Sequence, residues 1–555
     1  MTELSLLEKH RRAYKPKLPS SLAQGISKVV LTKGSATEPL SDAAEVKALF
    51  PHTYGLPLIN FSQGSSNISV RALTVGVVLS GGQAPGGHNV ICGIYDALKG
   101  SSSESKLIGF LGGPSGLEEG KYIILDQAII DEHRNTGGFD IIGSGRTKLE
   151  TAEQFEKCRK VIADLKIDAI AIIGGDDSNT NAAILAEYLK SQGDKTCVLG
   201  VPKTIDGDLK NDSIPTSFGF DTASKTYAEM VGNIQRDSRS AKKYWHFIKL
   251  MGRSASHIAL EVGLQTRPNV TLISEEIETE QLSLESVVDS IVKSIVNRAK
   301  IGKNYGVVLV PEGLIEFIPS LKKLVHNLND LLAAHETEFN LIDTMPAKIT
   351  WVAQHLSTDT STSFQSLPEK IQAQLLLDRD PHGNVQVSKI ETEVLLIEMT
   401  AKKLKQLQAA GLYSGKFSAQ NHFFGYEGRC APPSNFDADY CYALGQTAVV
   451  LALAGATGYM SSVKGLTQPA SEWQAGGVPI TMMFNMEQRH GKKKPVIKKA
   501  LVELKGQPFL KLQAHRENWS VEDAYLYPGP IQYFGPAEVC DTPTMTLRLE
   551  QGIKL

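Results

Sequence analysis

Long apolar runs are missing from this sequence. No stretch approaches the roughly eighteen to twenty uninterrupted apolar residues that a membrane-spanning helix requires. The opening "MTELSLLEKHRRAYKPKL" also lacks the continuous apolar segment of a signal peptide. Neither secretion nor a membrane span is expected, and a cytoplasmic location is. Cysteine is sparse and dispersed: Cys92, Cys158, Cys197, Cys430, Cys441 and Cys540 form no CxxC pair. That spacing argues against a zinc site or a disulfide framework and suits a reducing compartment. An excess of one charge is missing too. With 58 Lys and Arg against 60 Asp and Glu, the formal net charge is −2. The densest basic run, "GKKKPVIKK" from Gly491, reads as a solvated loop and helix face. Neither a nucleic-acid nor a membrane-surface partner is therefore indicated. Internal repeats and low-complexity tracts are absent as well.

What is present is enough apolar material for more than one core: 555 residues, 42% of them hydrophobic. From about residue 70, short β-branched runs recur: "TVGVVLS" (74–80), "KLIGFLG" (106–112), "DAIAIIG" (168–174), "TCVLGVP" (196–202), "HFIKLM" (246–251), "VTLIS" (270–274) and "YGVVLV" (305–310). Continuous rather than alternating apolar residues predict strands buried on both faces of a parallel sheet. Between them lie helical patterns such as "TAEQFEKCRKVIADLK" (151–166), where Phe155, Cys158, Val161, Ile162 and Leu165 share a face. The fold class is α/β, doubly wound. Residues 1–70 read as an N-terminal extension with one short helix, and 491–555 as a Pro-interrupted C-terminal segment. Between them, residues 315–410 read as a helical insertion, with Leu321, Leu324, Leu328, Leu331 and Leu332 on one stripe.

In open α/β sheets, ligands bind beyond the carboxyl ends of the strands. That position is filled here by "GGQAPGGHN", "GGPSG", "GGDDSNTN", "PKTIDGD", "MGRSAS" and "PEG". The first loop suits either a tight turn or a backbone phosphate cradle at a helix N-terminus. It matches neither GxGxxG nor GxxxxGK[ST]. Asp176 and Asp177 in "GGDDS" suit either helix capping or Mg²⁺, which prefers hard oxygen ligands. In "TIDGD", Asp206 and Asp208 stand two apart, a spacing compatible with a solvated turn or with a base beside a metal ligand. Arg146, Lys203, Arg253 and Arg429 are candidate cations for phosphoryl oxygens.

Taken in order, "SGGQAPGGHN", "GGDDSN", "PKTIDGD", "MGR", "PEG" and "FFGYEGR" (423–429) resemble the phosphofructokinase family, in particular its long pyrophosphate-dependent branch. The resemblance covers about residues 70–480. It implies two Rossmann-like domains with the site in the cleft between them. A donor domain would comprise 71–220 plus about 430–490, and a fructose 6-phosphate domain 221–314 plus about 411–429. The implied reaction is reversible transfer of a phosphoryl group to fructose 6-phosphate, a step of glycolysis and gluconeogenesis. Asp206 then stands as the general base, Asp208 as support for the metal or the base, and Asp176 as the Mg²⁺ ligand. Gly82, Arg146 and Lys203 would face the donor. Thr204, Ile205, Met251, Gly252, Arg253, Glu312, Tyr426, Glu427, Gly428 and Arg429 would face the sugar, and Lys243 and Tyr244 would reach into a neighbouring subunit of a homodimer. ATP-using relatives carry Gly where Asp177 and Lys203 stand here. A carboxylate beside the phosphates disfavours ATP, whereas an added cation suits pyrophosphate. The alternatives are an ATP-dependent 6-phosphofructokinase and a catalytically silent regulatory subunit.

Overall fold

The computed structural model describes residues 3–377, 385–489 and 492–555. Gly491 of the basic run and residues 378–384 of the expected insertion lie outside the described residues. Along the chain the strands are β1 (Val29–Ala36), β2 (Pro57–Gln63), β3 (Thr74–Leu79), β4 (Lys106–Phe110), β5 (Tyr122–Ile124), β6 (Ala169–Gly174), β7 (Cys197–Thr204) and β8 (Phe218–Gly219). They continue as β9 (Trp245–Leu250), β10 (Val270–Thr271), β11 (Gly306–Pro311), β12 (Ala419–Phe424), β13 (Tyr459–Lys464), β14 (Gln474–Pro479), β15 (Phe484–Arg489) and β16 (Lys492–Ile497).

The chain divides into two compact units. The first comprises Met1–Thr226, Tyr426–Ala500 and Ile531–Gln551. Its 10-stranded sheet runs β1-β2-β14-β13-β7-β6-β3-β4-β5, with β8 pairing off β7. The centre from β13 to β4 is parallel, and the flanking pairs are antiparallel. β6 and β7 are buried along almost their whole length, as continuous apolar runs dictate. The helix Ala152–Asp164 starts where expected, because Thr151 and Gln154 form a capping box. Phe155, Cys158 and Ile162 then enter a core shared with Val78, Ile108, Ile170 and Ile172. Residues 1–70 do more than extend the chain: β1 and β2 pair antiparallel, and β2 joins the main sheet through β14. The β15–β16 hairpin is anchored at both ends, since Phe484 and Ile497 belong to the same core.

The second unit comprises Tyr227–Gly425, Leu501–Pro530 and Gly552–Leu555. Its four-stranded sheet, β10-β11-β9-β12, is parallel throughout. Of the run "VTLIS" only Val270–Thr271 is strand; Ser274 already opens a helix to Thr279. The segment 315–410 is helical over Pro319–Ala334, Glu336–Asn340, Met345–His355, Thr358–Ser366, Glu369–Leu377 and Thr392–Ala409. Leu321, Leu324, Leu328 and Leu332 are buried in one cluster with Trp245 and Phe247 of β9, and Leu331 packs against it. Inside this unit Lys249 of β9 donates from Nζ to the Ile390 carbonyl at 3.0 Å and lies 3.6 Å from Glu393 Oε2.

The division differs from the boundaries expected from sequence. Residues 221–226 and Tyr426–Arg429 belong to the first unit, and the C-terminal segment is shared. Within the second unit Asp523 is held by Arg298 at 2.8 Å. Within the first, Glu550 is held by Lys210 at 2.6 Å.

Candidate active site

In the first unit, β7, β6 and β3 are neighbours, and the chain order reverses around β3, since β4 lies on its other side. Loops leaving the carboxyl ends of such strands face the crevice where doubly wound sheets bind ligands. After β3, Gly81 takes φ +85°, a left-handed conformation. Its N–H donates to the Gly145 carbonyl at 2.8 Å, which brings the Arg146 segment beside the loop. The helix Gly87–Ser101 and the helix Asp176–Ser191 both have glycine at the N-cap, Gly86 and Gly175, with no side chain capping the first turn. Their leading N–H groups therefore suit an anion.

Around this turn the cations gather. Lys203, near the end of β7, is buried. A Cβ built on Gly81 would lie 3.3 Å from Lys203 Nζ, and one on Gly82 would overlap Arg429 Nη2 at 1.4 Å. Only glycine at 82 leaves the guanidinium its place. Arg429 donates from Nε to the Gln83 carbonyl at 3.3 Å and lies 5.7 Å from the Tyr426 ring centre. Tyr426 is exposed, and Glu427 and Gly428 complete the same turn of helix. Burial first, and then Arg429, push the Lys203 ammonium down to about 8; Asp206 opposes the shift, Arg146 adds to it and Asp176 opposes it. A group so placed remains a cation near neutrality and gains from any anion that enters.

The carboxylates separate into two roles. Asp206 is half-buried in a turn where its N–H donates to Thr204 Oγ1 at 3.1 Å, and Gly207 holds φ +74°. Ile205 between them is buried. Asp208 is buried, and burial, followed by the Asp206 carboxylate, pushes it up to about 7 while Lys499 holds it back. Lys499 Nζ lies 3.7 Å from Asp176 Oδ2 and 3.8 Å from Asp208 Oδ2, so one ammonium joins both carboxylates. Two hard oxygen donors brought to one point fit Mg²⁺, which takes one or two carboxylates and completes its shell with water and substrate phosphate. A cluster of three or more metal-ligating side chains is absent among the described residues. Asp177, by contrast, faces solvent and pairs with Lys148 at 3.4 Å.

Lys499 and Lys148 were not singled out in the sequence. Lys499 ends the basic run read as a solvated face, and nothing in the run marks it apart from its neighbouring lysines.

In the second unit, β9 and β11 carry the remaining residues. Met251 N–H donates to the Phe424 carbonyl at 3.3 Å, and Gly252 N–H donates to Glu312 Oε2 at 3.1 Å. Glu312 is buried, and its own N–H donates to the Leu250 carbonyl at 3.0 Å. The loops after β9 and β11 thus brace one another. They touch so closely that a Cβ on Gly313 would lie 1.8 Å from the Arg253 carbonyl oxygen. Arg253 itself is exposed at the bend. Lys243 and Tyr244 precede β9 at its other end, with Lys243 Nζ 5.1 Å from the Tyr244 ring centre. A strand of this length puts them roughly 20 Å from Arg253.

No helix among the described residues is long and apolar enough to cross a membrane. The family model described as Phosphofructokinase matches residues 74–452. A relative from Porphyromonas gingivalis named pyrophosphate–fructose 6-phosphate 1-phosphotransferase is 56% identical over 99% of this chain and 99% of its own. One of the same name from Treponema pallidum is 53% identical, covering 99% of this chain and 97% of its own. Among solved structures, a pyrophosphate-dependent phosphofructokinase from Marinobacter aquaeolei aligns with a TM-score of 0.51 at 17% identity, covering 82% of this chain and 93% of that one; it speaks to the fold alone. With the family model spanning most of the chain and these relatives matching it end to end, the chain belongs to the phosphofructokinase family.

Proposed function

We propose that this chain is a pyrophosphate:fructose-6-phosphate 1-phosphotransferase, Mg²⁺-dependent and reversible, producing fructose 1,6-bisphosphate and phosphate. The observation that carries the donor choice is Lys203. It is a buried ammonium set against the Gly81 turn, with Arg429 and Arg146 adding positive charge around it. Pyrophosphate offers no nucleoside to grip, so its binding energy must come from cations on its oxygens. The names carried by relatives at 56% and 53% identity support the same reading.

In the forward direction Asp206 takes the proton of the sugar 1-hydroxyl, whose oxygen attacks the terminal phosphorus. The bridging P–O bond breaks and phosphate leaves with the electron pair, its developing charge met by Lys203 and the guanidinium groups. Gly82 keeps the loop narrow enough for that contact. Asp176 and Asp208 would hold Mg²⁺, which when bound supplies charge neutralisation on the phosphoryl oxygens. Of the sugar contacts the resemblance implies, Gly252, Arg253 and Glu312 lie in the second unit and Tyr426, Glu427, Gly428 and Arg429 in the first. Lys243 and Tyr244 stand too far along β9 from Arg253 to share a small ligand within one chain. The homodimer, in which each copy lends these two side chains to the other, rests on the resemblance, and the distance is compatible with it.

The test supplies purified protein with fructose 6-phosphate and Mg²⁺ and either pyrophosphate or ATP. Turnover is expected with pyrophosphate; turnover with ATP alone assigns the chain to the ATP-dependent enzymes, and none with either makes it a silent subunit.

A further inference from the structure

The backbone fixes the position of Lys499. Beyond β16, the Lys498 N–H donates to the Met483 carbonyl at 3.2 Å and the Ala500 N–H to the Asp208 carbonyl at 2.7 Å. The residue between them is thereby pinned to the "TIDGD" turn, by a hairpin whose ends lie in the core. Its ammonium falls 3.7 and 3.8 Å from the two carboxylates that would hold the metal, contributed by two different loops. Asp208 is itself buried and Asp176 only partly exposed. Two like charges drawn into one half-buried place repel, and a fixed cation relieves that repulsion.

We infer that Lys499 is a positioning residue for the divalent-cation site: it holds Asp176 and Asp208 together when the metal is absent and weakens the metal's hold when it is present. The inference rests on the Mg²⁺ reading above. A unit charge set beside a divalent ion in a partly buried site costs that ion affinity. Lys499 thus keeps the carboxylate pair assembled without letting it become a tight metal trap, so that the ion can arrive and leave with the phosphates.

The experiment titrates substrate-free enzyme with Mn²⁺, following the free ion by electron paramagnetic resonance, for the unmodified protein and for Lys499→Met, Lys499→Gln and Lys499→Arg. The two neutral variants should bind Mn²⁺ roughly tenfold more tightly. Their melting temperatures should fall without divalent ion and be raised by Mg²⁺ further than that of the unmodified protein. Lys499→Arg should stay within about twofold of the unmodified affinity, since it keeps the charge. Neutral variants with unchanged or weakened Mn²⁺ affinity overturn the inference, as does an unmodified protein that binds no Mn²⁺. The two readings separate cleanly: pyrophosphate turnover with unaltered Mn²⁺ binding in the neutral variants removes only the role of Lys499. Mn²⁺ binding that responds as described, in a protein that transfers nothing from pyrophosphate, removes only the reaction.

Discussion

The two units place loops at the carboxyl ends of parallel strands in the same way and equip them differently. In the first, charged side chains are taken out of water: Lys203 and Asp208 are buried, and each is shifted from its ordinary ionisation. In the second, order comes from the backbone: Gly252 N–H on Glu312, the Gly313 turn pressed on the Arg253 carbonyl, and the arginine head left outside. Charge held in low dielectric acts strongly on a small, highly charged donor. A sugar with many hydroxyls needs shape first. The difference teaches that two parallel sheets can specialise through what their strand-end loops carry: shifted charges in one, backbone braces in the other.

Four substitutions or conditions would break or sharpen that contrast. The largest effect is expected from Asp206→Ala, which removes the proton acceptor: kcat should fall roughly 10²–10⁴-fold with the KM for fructose 6-phosphate little changed. A near-normal kcat would take Asp206 out of that role. Next come the two positions expected from sequence to select the donor: Asp177→Gly combined with Lys203→Gly should lower kcat/KM for pyrophosphate by roughly 10²–10³. Steady-state kinetics with both donors checks this and reveals any turnover gained with ATP.

Gly313→Ala probes the other unit through its backbone. A methyl 1.8 Å from the Arg253 carbonyl oxygen must move that loop. Specificity for fructose 6-phosphate should drop by up to about 10²-fold, while the affinity for pyrophosphate, measured by calorimetry, holds. The smallest effect is in pH. Lys203 carries its charge below about 8 and loses it above, so the KM for pyrophosphate should climb on the alkaline side, by at most about tenfold per pH unit. Lys203→Arg should flatten that limb, because a guanidinium keeps its proton there.

The interior of both sheets was legible in the sequence, because a strand buried on two faces cannot hide its apolar run. "DAIAIIG" and "YGVVLV" became β6 and β11 nearly residue for residue. The first unit's flanking strands were not. β1 is exposed along most of its length and pairs only with β2 at the sheet edge, so no buried apolar run marks it. The acidic and basic residues around Lys203 were legible as types after strands, since strand-end loops are where such residues must act. Arg429 was expected to face the sugar; its packing against Gly82, in the loop after β3, was not legible. Lys499 was illegible, because which lysine of a basic run turns inward depends on two backbone hydrogen bonds made after the hairpin closes.

The leucine stripe of the helical segment bears on how this chain can be engineered. Because Leu321, Leu324 and Leu328 complete the same core as Trp245 and Phe247, the segment is not a removable ornament. Cutting it away would bare one face of β9 and leave the Lys249 ammonium without the Ile390 carbonyl and Glu393 that receive it. Any shortened version must therefore redesign the strand that ends in Met251–Gly252–Arg253 along with the helices it sheds.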